Sequence, residues 1–201
     1  MIKNVIFDLG GVLVDWDPRY MYRTIFETDE AMEYFLSNVC TSDWNEEQDG
    51  GRLISTANTE LVAKYPQYRA EIEAFYGRWT EMLGGPISDM VDVLRQIHEA
   101  GHHRLVALTN WSAETWPFAV ERHDFLNCFE GILVSGQEML KKPDPAIYKL
   151  LCSRYQLDPE QSVFIDDNLR NIKAASDLGI HTIHYTDTPS AIAELRNLSV
   201  L

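Results

Sequence analysis

Four short runs of apolar and β-branched residues limit the folds open to this chain more than any other feature of its sequence. They are residues 5–7, 105–108, 163–165 and 182–184. Strands covered on both faces of a parallel sheet have such near-continuous hydrophobicity, whereas strands with one face in water alternate apolar and polar residues. We therefore expect a parallel sheet that is buried on both faces.

Helical patterns lie between and beside these runs. Residues 87–100 carry apolar side chains at helical spacing and end at Gly101, a residue type favoured just after a helix. Residues 145–155 predict a second helix with Asp144 as its N-cap, and residues 171–178 predict a third. Because strands and helices alternate, we expect an α/β protein with a doubly wound parallel sheet and a Rossmann-like core.

The interval from residue 15 to residue 85 has a different character. It is rich in aromatic residues and helix formers and contains no comparable apolar run. We therefore expect residues 15–85 to form an all-helical cap, inserted into a core made of residues 1–14 and 86–201. The predicted cap helices are residues 19–38, 42–48, 56–64 and 69–83.

The charge of the chain restricts its partners. Its 201 residues have a formal net charge of −14. A surface this acidic repels polyanions at long range, so we expect neither nucleic acid nor an anionic membrane as a partner. A small phosphorylated metabolite is compatible with this charge, because local cations and backbone amides can offset the overall field. We expect the protein to act as a monomer.

The cysteines and the hydropathy pattern bear on the compartment. Cys40, Cys128 and Cys152 are widely spaced and form no CxxC motif, which is typical of reduced thiols in the cytosol. No stretch approaches the ~18 uninterrupted apolar residues of a membrane span. We expect a cytoplasmic protein.

Polar clusters lie next to three of the predicted strands. Ligands of an open α/β sheet bind beyond the carboxyl ends of its strands, so these clusters should meet at one edge. Each alone could be a turn, an N-cap or a solvated loop. Together they supply a nucleophilic acid, carboxylates for a hard cation, a lysine and a hydroxyl–amide pair, which are the parts of phosphoryl transfer to a carboxylate. The clusters are Asp8-Leu9-Gly10-Gly11, Thr109-Asn110, Lys141-Lys142-Pro143-Asp144-Pro145 and Asp166-Asp167-Asn168.

The order and spacing of these clusters resemble the four motifs of the haloacid-dehalogenase-like hydrolases, over essentially the whole chain. The matching segments are residues 5–13, 107–110, 142–148 and 163–168. The insertion is similar to the helical-cap branch, and the opening Asp-Leu-Gly resembles the bacterial α-D-glucose-1-phosphate phosphatase group. The resemblance implies a Mg²⁺-dependent phosphatase that hydrolyses small phosphomonoesters, sugar phosphates in particular, through an aspartyl-phosphate.

The resemblance also implies catalytic and metal-binding roles. Asp8 would be the nucleophile that attacks phosphorus. Mg²⁺ would be bound by the Asp8 carboxylate, the backbone carbonyl of Gly10 and the Asp167 carboxylate. Lys142 would neutralise the nucleophile and the phosphate, and Asp166 would orient this lysine. Its neighbour Lys141 would have no such role.

Substrate contacts are expected from the second motif and from the cap. The resemblance implies that Thr109 and Asn110 hold phosphate oxygens. The cap should close over the site and contact the rest of the substrate. Sugars often stack on aromatic rings, although a tryptophan in a helix is more often part of the core. The candidates for these contacts are Trp16, Trp44, Asp49, Trp79 and Trp111.

Gly10 departs from the family pattern. Phosphatases of this superfamily usually have a second aspartate two residues after the nucleophile, which protonates the leaving alcohol and then activates water. Such a group commonly contributes ~10²–10⁴-fold in rate. Three explanations are open: a substrate with an acidic leaving oxygen, such as an anomeric sugar oxygen; a substitute acid such as Asp15 or Asp17; or a phospho-ligand-binding protein with little turnover.

A 2-haloacid dehalogenase is a further alternative, because that branch also lacks the second aspartate. Its members work without Mg²⁺ and do not keep the paired acid. Here Asp166 and Asp167 would place uncompensated negative charge beside a carboxylate that must attack carbon. With Mg²⁺ bound, the same acids are useful, which favours the phosphatase.

Overall fold

A computed structural model describes all 201 residues. Its strands, numbered along the chain, are β1 (Asn4–Phe7), β2 (Val14–Trp16), β3 (Leu83–Pro86), β4 (Arg104–Thr109), β5 (Gly131–Val134), β6 (Ser162–Asp166) and β7 (His181–His184). Five of them form a parallel sheet in the order β5-β4-β1-β6-β7. The predicted doubly wound, Rossmann-like sheet is confirmed.

Eleven α-helices surround this sheet and fill the inserted segment. They are α1 (Arg19–Tyr22), α2 (Asp29–Asn38), α3 (Ser42–Asp49), α4 (Ile54–Lys64), α5 (Arg69–Gly77), α6 (Ser88–Ala100), α7 (Trp116–Arg122), α8 (Ser135–Glu138), α9 (Pro145–Tyr155), α10 (Leu169–Ser176) and α11 (Thr188–Asn197). Short 3₁₀ helices span Pro66–Tyr68, Trp79–Met82, Asp124–Cys128 and Pro159–Gln161. No helix has the length and apolar character needed to cross a membrane.

The central strand β1 is buried on both sides, as its sequence predicts. Val5 and Phe7 belong to a large apolar cluster that includes residues of α6 and α11, whereas Ile6 belongs to a second cluster with residues of α9 and α10. Helices therefore cover both faces of the sheet. β1 also lies between β4 and β6, so the strand order reverses at β1 and opens a crevice at its carboxyl end.

Two of the predicted cap helices are shorter than expected. Residues 19–38 form α1 and α2 rather than one helix, because Thr28 adopts an extended backbone and its hydroxyl accepts a hydrogen bond from the Ala31 N–H, which starts α2 anew. Helix α5 ends at Gly77, and the chain continues as a 3₁₀ turn and then as β3.

The inserted segment is also bounded by strands, which the expectation of an all-helical cap did not include. β2 and β3 form an antiparallel ribbon in which Asp15 pairs with Gly85. The predicted boundaries at residues 15 and 85 therefore both fall inside this ribbon. We propose that the ribbon connects a cap of residues 15–85 to the core, and the division itself stays a prediction.

Candidate active site

The nucleophile candidate lies where the sheet reverses its strand order. Asp8 directly follows β1, and its backbone N–H donates to the Ile165 carbonyl of β6 at 2.9 Å. The Leu9 N–H donates to Asp8 Oδ1 at 2.7 Å. The bond from Asp8 to Ile165 extends the regular hydrogen bonding of the sheet by one residue, and the bond from Leu9 holds the carboxylate. The position of Asp8 is therefore set by the core of the protein and not by a mobile loop.

A buried lysine joins two carboxylates at this point. Lys142 Nζ lies 2.8 Å from Asp8 Oδ2 and 2.7 Å from Asp166 Oδ2, and it donates to the Leu108 carbonyl at 3.1 Å. The exposed fractions of Asp8, Lys142 and Asp166 are 6%, 1% and 0%. All three ammonium protons thus have partners, which a charge this deeply buried requires. Lys141, by contrast, pairs with Glu46 and Glu47 at the surface.

Helix α10 fixes the Asp166 carboxylate. The Asn168 N–H donates to Asp166 Oδ1 at 2.8 Å, and Asn171 Nδ2 lies 3.1 Å from both Asp166 oxygens. Sequence reasoning assigned no role to Asn171. An amide at the start of a helix that follows a site carboxylate is the signal that could have identified it.

The charges of this triad influence one another strongly. Burial raises the pKa of Asp8 well above its usual range, Lys142 opposes that rise, and Asp166 adds to it. Burial alone would lower the pKa of Lys142, but the charges of Asp166 and Asp8 outweigh it and raise that pKa. The lysine therefore stays charged.

A third carboxylate completes a candidate cation site. Oxygen atoms of Asp8, Asp166 and Asp167 all lie within 4.8 Å of one another. Burial raises the pKa of Asp167, and the negative charge of Asp166 raises it further. Three carboxylates face one lysine here, and hard divalent cations prefer such oxygen ligands. The donor set therefore fits Mg²⁺.

The backbone beside these carboxylates is shaped to let them approach closely. Gly11 has φ +74°, and a Cβ atom there would lie only 2.3 Å from Asp167 Oδ2. A side chain at residue 11 would thus occupy the space of a candidate metal ligand. Gly10 lines the same cavity as Asp8 and Asp167, as required of a residue whose carbonyl is predicted to bind the metal.

Replacing Gly11 with alanine should weaken both folding and metal binding. A left-handed backbone costs a non-glycine residue about 1–2 kcal/mol, and the new methyl group would displace the Asp167 carboxylate. We expect a loss of that size in the free energy of unfolding, measured by urea denaturation. We also expect weaker Mg²⁺ binding, measured by tryptophan-fluorescence titration. Gly77→Ala is the matched control, since Gly77 lies in a helix and its Cβ would meet no heavy atom within 4 Å. Equal Mg²⁺ binding by both variants would contradict this prediction.

Asn110 of the second motif, which was expected to hold phosphate oxygens, forms hydrogen bonds with the backbone of Lys142 instead. Asn110 Nδ2 donates to the Lys142 carbonyl at 3.0 Å, and Asn110 Oδ1 accepts from the Lys142 N–H at 2.9 Å. Its carboxamide therefore holds the backbone of the lysine in place. The Thr109 hydroxyl is buried and has no hydrogen-bond partner in the protein. The predicted contacts of both residues with phosphate stay predictions.

A cavity of about 230 Å³ opens directly above Asp8. It brings together three of the predicted tryptophans, Trp16, Trp79 and Trp111, with the metal-site candidates and with Asp49. Its lining residues are Asp8, Gly10, Gly11, Trp16, Asn45, Asp49, Trp79, Asn110, Trp111 and Asp167. Asn45 was not identified from the sequence, and only its spacing of four residues from Asp49 on a helix would have indicated it.

Three of the predicted residues do not reach this cavity. Trp44 packs edge-on against Phe75, with ring centroids 5.2 Å apart, and so belongs to the apolar interior of the cap helices. Asp15 accepts a hydrogen bond from the Tyr20 hydroxyl, and Asp17 pairs with Arg19. These two acids line a neighbouring cleft of about 670 Å³ and are absent from the lining around Asp8. The structure therefore does not support Trp44 as a substrate contact, or Asp15 or Asp17 as the substitute acid.

Sequence comparisons place this chain among hydrolases. A sequence model of the haloacid dehalogenase-like hydrolases matches residues 2–179. Sesquiterpene phosphatase astK of Aspergillus oryzae is 28% identical over 196 residues, covering 98% of this chain and 96% of that protein. Phosphoglycolate phosphatase of Vibrio cholerae is 27% identical over 195 residues, covering 92% of this chain and 84% of that protein.

Structure comparison gives the same result for the fold. The haloacid dehalogenase family enzyme bt-2542 of Bacteroides thetaiotaomicron, solved with magnesium and inorganic phosphate, has a TM-score of 0.68 at 23% identity, covering 91% of this chain and 93% of that one. The resemblance to the superfamily is confirmed, while the narrower one to glucose-1-phosphate phosphatases stays a prediction. With the family match spanning most of its length, this chain is an enzyme that belongs to the haloacid dehalogenase-like hydrolases.

Proposed function

We propose that the enzyme is a Mg²⁺-dependent phosphatase that hydrolyses small phosphomonoesters, sugar phosphates among them, through an aspartyl-phosphate on Asp8. The observation that carries this proposal is the buried Lys142, which bridges Asp8 and Asp166 beside the exposed Asp167. Asp8, Asp167 and the carbonyl of Gly10 would hold the metal ion. Bound Mg²⁺ would supply positive charge to the phosphoryl oxygens.

The chain's own residues account for the attack on phosphorus. The Asp8 carboxylate forms a bond to phosphorus as the bond to the leaving oxygen breaks, and Lys142 Nζ, at 2.8 Å, favours the charged form of that carboxylate. Asp166 and the Leu108 carbonyl hold the ammonium group in place. Water then attacks phosphorus, releases inorganic phosphate and restores Asp8.

The charge balance of the site favours this reaction over dehalogenation. Asp8, Asp166 and Asp167 carry three negative charges against the single positive charge of Lys142. This excess of negative charge opposes attack by a carboxylate unless a cation offsets it. A dehalogenase works without a metal, so the paired acids would only hinder it.

The cavity supports a small polar substrate. Its volume of about 230 Å³ lies below the roughly 300–1,000 Å³ of typical ligand pockets. Indole rings, two amides and carboxylates line it, which suits the hydroxyl groups and ring faces of a sugar phosphate. The two phosphatase relatives named above support phosphate-ester hydrolysis, although their names refer to very different leaving groups, a sesquiterpene and glycolate.

Phosphate release from a panel of sugar phosphates, with and without Mg²⁺, tests the proposal. We expect release that EDTA abolishes and Mg²⁺ restores, and we expect Asp167→Asn to need at least about tenfold more Mg²⁺, because it removes a ligand charge. Asp177→Asn, in an exposed residue after α10, should behave like the wild type. Phosphate binding without any release would support the non-catalytic alternative, and chloride release from a 2-haloacid in EDTA would support the dehalogenase.

A further inference from the structure

The site has an open space where phosphatases of this class usually carry their proton donor. A Cβ atom added at Gly10 would meet no heavy atom within 4 Å, and Gly10 lines the cavity above Asp8. The open space is therefore not filled by another side chain of the protein. A side chain that gives a proton to the leaving oxygen would therefore lie in a different wall of the same cavity.

Asp49 is the acid in that other wall. Three carboxylates line the cavity, and two of them, Asp8 and Asp167, belong to the candidate cation site. Asp49 is the third, a buried residue at the end of α3 in the inserted segment. It is thus the lining carboxyl group that is free to exchange a proton with a substrate.

The main chain of Asp49 is tied to the core of the protein. The Trp111 N–H donates to Ser135 Oγ at 2.9 Å, and the Ser135 hydroxyl donates in turn to the Asp49 carbonyl. Trp111 directly follows the second motif. This chain of hydrogen bonds therefore sets the distance between the end of α3 and the sheet edge that carries Asp8.

The side chain of Asp49 is held by a polar network within the inserted segment. Asn45 Nδ2 donates to Asp49 Oδ2 at 3.1 Å, and the Tyr76 hydroxyl donates to Asn45 Oδ1 at 2.9 Å. Gln48 Nε2 donates to the Tyr76 oxygen at 3.2 Å. These bonds fix the position of the carboxyl group beside the cavity. Asp49 has no ion-pair partner that would hold it in the charged form.

The surroundings of Asp49 also suit proton transfer near neutral pH. Burial raises the pKa of Asp49 to about 7, and the charge of Glu46 adds to the rise, whereas Lys141, the backbone of Ser112 and Lys142 oppose it. A general acid works best when its pKa is close to the working pH, since it must both hold and release the proton.

We propose that Asp49 donates the proton to the leaving oxygen, in place of the acid that Gly10 lacks. This assignment rests on the proposed phosphatase function. As Asp8 bonds to phosphorus, the bond from phosphorus to the leaving oxygen breaks, and that oxygen takes the proton of the Asp49 carboxyl group. Water later attacks the phosphorus of the aspartyl-phosphate and gives a proton to the Asp49 carboxylate. The bond between phosphorus and Asp8 breaks, which releases inorganic phosphate and restores Asp8.

A comparison of two substrates with Asp49→Asn tests this assignment. An alkyl phosphate needs a proton for its leaving oxygen, whereas 4-nitrophenyl phosphate releases a stable anion without one. We expect kcat/KM of the variant to fall about 100-fold or more for the alkyl phosphate and less than about threefold for the nitrophenyl ester. Because kcat/KM covers only the steps up to alcohol release, slow hydrolysis of the aspartyl-phosphate does not enter it.

The ratio of the two values within one variant does not depend on how much of the protein is folded. Glu47→Gln, an exposed change on the same helix, should leave both values unchanged. An equal loss for both substrates, or no loss for either, would overturn the role of Asp49 alone. If the wild type released phosphate from neither substrate, the proposed phosphatase function would fail, and this assignment with it.

Discussion

Replacing Asp8 with asparagine is expected to reduce phosphate release by about 10⁵-fold or more, the scale of loss when a covalent nucleophile is removed. The amide cannot form the bond to phosphorus that the carboxylate forms. Asparagine has nearly the same shape, and Lys142 keeps Asp166 and the Leu108 carbonyl as partners, so the variant should stay folded. Steady-state phosphate release, together with circular dichroism, measures both effects.

The control for this variant is the same substitution at a distant, exposed acid. Asp29 lies in the first turn of α2 with 83% of its side chain exposed, and Asp29→Asn should keep the wild-type rate. Phosphate release by Asp8→Asn at more than about a hundredth of the wild-type rate would exclude Asp8 as the nucleophile, since residual catalysis of that size does not fit the loss of a covalent step.

The central sheet was predictable because its strands are buried on both faces and must be apolar throughout. Strand β5 was not predicted, although its run Ile132-Leu133-Val134 is as long as the runs of β1 and β6. It lies at the edge of the sheet and pairs only with β4. The ribbon of β2 and β3 was missed because its glycines favour a turn and because its pairing joins residues far apart in the chain.

The residues of the candidate site also differ in how well the sequence predicts them. Its core residues follow strand ends or lie in one loop before a strand, so their meeting could be predicted from the order of the motifs. The contribution of α3 could be predicted only as a set of candidate residues, because which of them faces the site depends on the rotation of that helix. Trp44 and Asp49 are both candidates and lie on the same helix, yet Trp44 packs inward against Phe75 and Asp49 lines the cavity. Composition alone does not separate these two residues.

Replacing Lys142 with methionine is expected to give the largest loss of stability of any single change at the site. Methionine has a similar length, so the cavity it leaves is small, but Asp8 and Asp166 would remain buried without their shared cation. Breaking a buried ion pair by removing one partner typically costs about 3–5 kcal/mol. We expect a loss of this size in the free energy of unfolding, measured by urea denaturation at about pH 8. Phosphate release should be lost as well.

Lys141→Met is the matched control for Lys142→Met. Lys141 pairs with Glu46 and Glu47, and 27% of its side chain is exposed. Surface pairs of this kind contribute roughly 0–1 kcal/mol, so Lys141→Met should change stability little. If the two variants lost equal stability, the buried triad would not have the energetic importance that its geometry indicates.

The loss caused by Lys142→Met should also depend on pH, in a direction that the triad determines. Burial already raises the pKa of Asp8, and Lys142 is the group that opposes this rise, so its removal raises that pKa further. A carboxyl group whose pKa is higher in the folded than in the unfolded state binds more protons when folded. Its folded form is then favoured below the unfolded pKa and loses stability as pH rises through the folded pKa.

Lys142→Met should therefore be less destabilised at about pH 5 than at about pH 8, while Lys141→Met should show no such difference. Adding Asp166→Asn to Lys142→Met removes one of the two unpaired carboxylates and should recover part of the lost stability at the higher pH. A double-mutant cycle at both pH values measures this coupling. A loss that did not change with pH, and that Asp166→Asn did not relieve, would mean that the cost of Lys142→Met comes from packing rather than from the charges of Asp8 and Asp166.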